Sequence, residues 1–475
     1  MKKLIPLALG PIIAGAILLL PEPLFNPLMD KIFAGSLWMV IWWITEAVSI
    51  SITALLPIVL FPLLGINSIG QITVHYANPI VFLFFGGFVI ALALEKVALH
   101  KRMALHILKL TGPRANGVVF GFMLATALLS MWISNTASTV VMLPMALSVY
   151  ALVKQRTRQN KKKLKRFALS LMLGIAAAAN IGGMATLIGT PPNSVMLAFL
   201  NKQYQIDIGF FQWMTFGVPL AGLLLLIAYW IIVRLTYPSG LGLLDSAHEI
   251  IDAELQNLGP IKRKERAVLT LFLLTVTGWV LRGQINEWWP SLALTDTHIA
   301  MLGALALFTI PVSQGKKPCV LKWEDTAKLP WGILILFGGG LALANTLAQG
   351  GIIDAVQVFI SHQNQWSALL ILIALVTLVL FLTELMSNVA LVTVFLPVIA
   401  GIALGLEQPL LTMVIPITLA SSCAFMLPMA TPPNAIVFAS GHISVAQMVR
   451  SGFWLNLMCL LVILLLNQFL LPYFF

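Results

Sequence analysis

Ser134-Asn135-Thr136 with Thr190-Pro191-Pro192-Asn193 is matched further along the chain by Ser387-Asn388-Val389 with Thr431-Pro432-Pro433-Asn434. The offset is 253 residues for the Ser-Asn pairs (134 to 387) and 241 for the Thr-Pro-Pro-Asn runs (190 to 431); Phe85-Gly86-Gly87 recurs as Phe337-Gly338-Gly339 at 252. One ancestral half therefore occurs twice. These polar fragments interrupt hydrophobic segments, and paired interruptions in two halves point to a carrier whose substrate site lies between the repeats, near the bilayer midplane.

Composition agrees. Of 475 residues, 9% are charged and 59% hydrophobic, and mean hydropathy is +0.96, values foreign to a water-soluble globule of this length. The chain reads as an all-α polytopic membrane protein. Its net charge of +11 does not imply a nucleic-acid partner, because the basic residues sit between apolar segments, where membrane orientation accounts for them. Cys319, Cys423 and Cys459 show no metal-like spacing, and neither a disulfide framework nor a zinc site is indicated. Lys2 and Lys3 precede an apolar run with no small-residue cleavage site before Pro21-Glu22-Pro23, so residues 1–32 are expected to hold a retained first span.

Runs long enough to cross the hydrocarbon lie near 5–21, 79–98, 168–200, 211–236, 331–350, 409–440 and 452–473, with shorter ones near 267–282 and 297–312. The 33–64 stretch carries Thr45-Glu46, Ser49 and Ser51 at its centre and reads as two short helices. That makes about eleven crossings. The stretches 117–150 and 366–402, with the Ser-Asn motifs at their centres, read as re-entrant hairpins. With a cytoplasmic N-terminus, 23 basic residues fall in inner loops and three (Lys31, Lys202, Arg282) in outer ones, a strong positive-inside bias. A first repeat over 33–236 and a second over 267–475, joined by a cytoplasmic linker at 237–266, each hold five crossings and one hairpin. Five is odd, so the repeats should have inverted topology.

A hairpin tip inside the bilayer exposes backbone groups that only protein or a water-filled cavity can satisfy. Ser134, Asn135 and Thr136 add hydroxyls and an amide there, and Ser387 and Asn388 supply a matching set. Helices starting at the tips would direct their N-terminal N–H groups to the same place, an environment for anionic oxygens. The Pro-Pro pairs should break the 168–200 and 409–440 helices midway, freeing carbonyls; Gly182, Gly183 and Gly189 would allow close backbone approach. Hydroxyls, amides and carbonyls form a hard-oxygen set suited to a small cation such as sodium. No Lys or Arg occurs in either hairpin or near either Pro-Pro break, so a dianion at mid-depth would need its charge balanced otherwise. Co-bound cations, substrate protonation or obligatory anion exchange would each serve.

These motifs resemble those of the divalent anion:sodium symporter family, the INDY-type sodium/dicarboxylate transporters. The resemblance is carried by Trp42-Trp43-Ile44-Thr45-Glu46-Ala47 with Thr53-Ala54-Leu55-Leu56-Pro57, by Ser134-Asn135-Thr136, and by Ile181-Gly182-Gly183 with Leu187 to Asn193. In the second half it is carried by Thr383-Glu384 to Ser387-Asn388 and by Ser422 to Pro428 leading to Ala430-Thr431-Pro432-Pro433-Asn434. It implies a homodimer in the inner membrane, with a scaffold domain and a transport domain that moves as an elevator. It also implies sodium-coupled symport of C4-dicarboxylates such as succinate, malate and fumarate, with sodium as coupling ion and no cofactor. By the family pattern one sodium would be held by Ser130, Ser134, Asn135 and the Gly189 carbonyl, and another by Thr383, Ser387, Asn388 and the Ala430 carbonyl. Substrate carboxylates would meet Ser134, Asn135, Thr136, Ser387, Asn388, Val389, Thr431 and Pro432. Val389 departs from the usual threonine and Ser49 from the usual proline.

Other readings weigh less. No G-x-S-x-G, H-E-x-x-H or G-x-x-x-x-G-K motif occurs, which disfavours hydrolysis and ATP-driven pumping; a dicarboxylate, tricarboxylate or tartrate exchanger, a sodium/sulfate symporter and an anion channel remain as alternatives. Glu46 reads as a structural hydrogen-bonding group or helix cap, and Glu384 as either a hairpin brace or a proton site.

Overall fold

The computed structural model describes residues 4–156, 161–312, 319–362, 367–469 and 471–474. Among them helices dominate and no strand occurs; one isolated bridge pairs Arg114 with Leu243. Among the described residues nine helices are long and apolar enough to cross a membrane, and shorter apolar ones accompany them, including Ile5–Leu18, Ala115–Ser130, Ala368–Leu382 and Leu410–Ser421.

The first helix, Leu4–Leu18, packs on Pro27–Thr45. That second helix stops at Glu46, which adopts the left-handed conformation (φ 45°, ψ 39°) as its C-cap; the chain then continues in the short helices Ile50–Thr53 and Leu56–Leu63. The Phe-Gly-Gly repeats are places of close approach. A Cβ on Gly86 would lie 2.8 Å from the Ala300 backbone, and one on Gly339 would lie 2.7 Å from Ala54 Cα, so both helices meet their neighbours backbone to backbone.

Both Ser-Asn motifs sit at the turn of a helical hairpin. Ala115–Ser130 and Asn135–Arg156 form the first, Ala368–Leu382 and Asn388–Gly405 the second. Each turn is four or five residues, and each second arm begins on the motif's asparagine. Both Pro-Pro motifs follow a break: Lys161–Gly183 resumes as Pro191–Tyr204, and Leu410–Ser421 as Pro432–Ala439. The prolines themselves do not sit inside a running helix. Each pair opens the next helix at its first position, where the missing N–H costs nothing, and the unwinding falls on the residues before them.

Lys161–Gly183 is the central strut. Every residue from Phe167 to Gly183 is buried, and the helix packs against both first-hairpin arms, Phe210–Trp230 and Pro432–Ala439. The Ala176–Ala179 run permits this, since small side chains let neighbours approach on every side. Residues 237–266, expected as a linker loop, contain the helix Asp245–Leu258, which docks on Leu99–Leu110. Lys101 Nζ meets Glu254 Oε2 at 2.7 Å, Lys109 Nζ meets Asp252 Oδ1 at 2.7 Å, and Arg102 pairs with Glu265 at 3.0 Å while donating to the Gly259 carbonyl at 2.9 Å.

Candidate functional site

Ser130 ends one arm of the first hairpin and Asn135 starts the other, with Ala179 and Gly189 brought alongside by the first broken helix. The Ser130 hydroxyl lies 2.7 Å from Asn135 Oδ1 and 2.7 Å from the Ala179 carbonyl oxygen, and its single hydrogen serves both. With the Asn135 amide turned over, its Nδ2 donates to Ser130 Oγ at 2.7 Å, Ala179 O at 3.2 Å and Gly189 O at 3.3 Å. Oxygens from the hydroxyl and two carbonyls face one point in both orientations, and the amide oxygen joins them in the first. With the amide oxygen inward the cluster is acceptor against acceptor, which a cation relieves. The donor set therefore fits sodium.

Glycine permits this close approach. A Cβ on Gly183 would stand 2.5 Å from Asn135 Oδ1 and 3.1 Å from Gly189 O, and one on Gly189 would stand 2.5 Å from Gly183 O. The 184–190 segment is tied to the hairpin turn by Thr186, whose hydroxyl donates to Met131 O at 2.6 Å and accepts from Gly189 N at 3.0 Å.

The second half repeats the arrangement in register. Thr383, 253 residues after Ser130, donates to Asn388 Oδ1 at 2.7 Å and contacts the Ser421 carbonyl, which lies 242 residues after Ala179. Asn193 Nδ2 donates to the carbonyl seven residues back, Thr186 O, at 2.9 Å; Asn434 Nδ2 does the same to Leu427 O at 3.0 Å. One position differs. Where the first half has Met131 the second has Glu384, whose carboxylate accepts from Phe425 N at 2.8 Å, Met426 N at 2.9 Å, Leu427 N at 3.0 Å and Asn456 Nδ2 at 2.8 Å. Four donors make Glu384 the brace of the 422–431 segment.

The two clusters are joined through Asn180, one residue beyond Ala179. Its Nδ2 donates to Ala424 O at 2.9 Å and to Thr431 Oγ1 at 3.2 Å, while Asn434 Nδ2 reaches the same Ala424 oxygen at 3.1 Å. Thr431 also caps its helix by accepting from Asn434 N at 3.4 Å.

Of the residues singled out in the sequence, Ser130, Asn135 and Gly189 come together, Thr383 and Asn388 come together, and Thr431 reaches the first half through Asn180. Ser134 caps the second arm by accepting from Ala137 N at 3.2 Å. Ala430 N donates to Leu427 O at 3.2 Å, within its own turn. Among the described residues no side-chain hydrogen bond ties Thr136, Ser387, Val389 or Pro432 to either cluster. Ser134 and Thr136 are exposed, Ser387 and Asn388 half-buried, and Val389 buried, so the first turn is the more open. Asn180, Thr186, Ala179 and Ser421 carried no assignment in the sequence reading.

A membrane-embedded helical chain with duplicated hairpins, broken helices and paired oxygen clusters is a secondary transporter. It belongs to the family described as the sodium:sulfate symporter transmembrane region, the divalent anion:sodium symporters, whose family model matches residues 1–472. Among its relatives is a protein of Staphylococcus saprophyticus named sodium-dependent dicarboxylate transporter SdcS, 37% identical over 99% of this chain and 92% of that protein. Its namesake in Staphylococcus aureus strain USA300 is 38% identical over 99% and 91%. Two solved structures share the fold at 12% identity: the Alcanivorax borkumensis YdaH transporter (TM-score 0.54, 85% of this chain and 88% of that one) and Neisseria gonorrhoeae MtrF (TM-score 0.54, 84% and 83%).

Proposed function

We propose that the protein is a sodium-coupled symporter of C4-dicarboxylates, succinate, malate and fumarate among them, in the cell's inner membrane. Its N-terminus is cytoplasmic, it forms a homodimer, and it transports rather than catalyses. The doubled cluster of hydroxyl, asparagine amide and carbonyls carries the reading. One sodium is held by Ser130, Ser134, Asn135 and the Gly189 carbonyl, another by Thr383, Ser387, Asn388 and the Ala430 carbonyl. The substrate lies against Ser134, Asn135, Thr136, Ser387, Asn388, Val389, Thr431 and Pro432. Two sodium ions balance the dianion at a depth where no basic side chain does. The inverted repeats divide into a scaffold and a transport domain, with the hairpins and broken helices moving together as an elevator.

Purified protein in liposomes tests this. Labelled succinate should accumulate when sodium is outside, with unlabelled sulfate a weak competitor. Equal uptake in potassium, stimulated by internal dicarboxylate, would make it an exchanger; preferred uptake of sulfate would make it a sulfate symporter.

A further inference from the structure

One cavity beside the first hairpin carries charges that the mid-depth clusters lack. It encloses about 300 Å³, within the range of small-molecule sites. Ala137 and Val140 of the hairpin's second arm form one wall. Ala137 donates its N–H to Ser134 Oγ, so the cavity starts within one helical turn of the Ser134-Asn135-Thr136 motif. The other wall holds Glu95 and Lys96, at the end of helix Pro79–Lys96, with Asp325 and Lys328 from the short helix Trp323–Lys328. Lys96 and Asp325 form an ion pair, and Lys328 has no ion pair among the described residues.

We propose that this cavity is a second, shallower anion site, in which the Lys96 and Lys328 ammonium groups receive the two carboxylates of a dicarboxylate passing between the first hairpin turn and the cytoplasm. It rests on the symport reading and extends it to the cytoplasmic mouth. Two cations on one wall match a ligand with two anionic ends, and Lys96 exchanges Asp325 for a substrate carboxylate as the ligand arrives. Glu95 and Asp325 keep the site weak. That weakness is required, because a site on a permeation route must release what it attracts. The site also removes a difficulty of the mid-depth clusters: a dianion would otherwise pass from water to a region without basic side chains in one step.

The test compares everted with right-side-out membrane vesicles, which present the cytoplasmic and outer faces respectively, using labelled succinate. Lys96→Gln and Lys328→Gln should each raise the KM at the cytoplasmic face roughly three- to tenfold and weaken its dependence on ionic strength, with a smaller change at the outer face. Asp325→Asn frees Lys96 and should lower the cytoplasmic KM. Variants with equal KM shifts on both faces, or Asp325→Asn impaired alongside Lys96→Gln, would overturn the proposal and leave the ion pair a structural tie. Wild-type vesicles that move no succinate at either face would sink the symport reading and this site with it.

Discussion

The hydroxyls of Ser130 and Thr383, 253 residues apart, each lie 2.7 Å from the amide oxygen of the asparagine five positions further on, Asn135 and Asn388. Each also reaches a carbonyl at the end of a broken helix, Ala179 or Ser421. If these are the cation sites, Ser130→Ala and Thr383→Ala should raise the sodium concentration for half-maximal uptake about tenfold, the effect of losing ~1.4 kcal/mol per site. Asn135→Ala or Asn388→Ala should abolish uptake while the folded protein persists in size-exclusion chromatography. Full activity in both asparagine variants would refute the site.

Glycine at 183 is a steric requirement. Gly183→Ala brings a methyl within 2.5 Å of Asn135 Oδ1, whereas Gly222→Ala meets nothing within 4 Å. The first should lose most sodium-dependent uptake and the second should keep it, in the same vesicle assay.

Glu384 holds four donors, three of them backbone N–H groups with no helical partner. Glu384→Gln turns an NH2 toward some of those donors and should cost about 1–3 kcal/mol, read as a lower unfolding temperature in detergent. Unchanged stability would mean that water or a neighbour satisfies the segment instead.

The 237–266 linker offers a graded comparison. Arg102 and Glu265 are 12% and 5% exposed, Lys109 and Asp252 55% and 45%. Arg102→Ala leaves a buried carboxylate behind and should cost ~3 kcal/mol; Lys109→Ala should cost about 0–1 kcal/mol, less at high salt. Thermal unfolding at two salt concentrations separates the two.

Asp325 lies outside the spans. Partial burial raises its carboxyl, but the Lys96 ammonium and the Lys322 N–H outweigh this and hold it below the usual carboxylate range. A depressed folded-state value stabilises the protein above the ordinary Asp value, and that contribution disappears as pH falls through the lowered one. The stability difference between wild type and Asp325→Asn should be constant from neutral pH to about pH 5 and shrink below about pH 4. A difference that grows on acidification would contradict the sign.

Much of this was readable in the chain, for specific reasons. The fold class followed from hydropathy and from one half written twice, and the turn at Glu46 from polar residues interrupting an apolar run. Ser130 and Thr383 were reachable only through family resemblance, because a hydroxyl at a helix end is an ordinary sight. Asn180 gave no signal: a lone amide in an Ala-rich helix has no period and no twin, since the corresponding residue of the second half is Ser422. Glu384 stayed open between brace and proton site because three of its four partners are backbone N–H groups some forty residues away, which side-chain patterns do not encode. The prolines lie after the breaks they were expected to cause: unwinding before them leaves each pair to start a fresh helix.

Ala424 contributes one peptide oxygen, and amides from opposite halves of the chain, Asn180 and Asn434, both hang on it. Such a shared anchor makes the two clusters a single mechanical part. If they hold the coupling ions as proposed, filling one corner should stiffen the other without any travelling distortion, so half-loaded carriers should be scarce and leakage of unaccompanied ions slow.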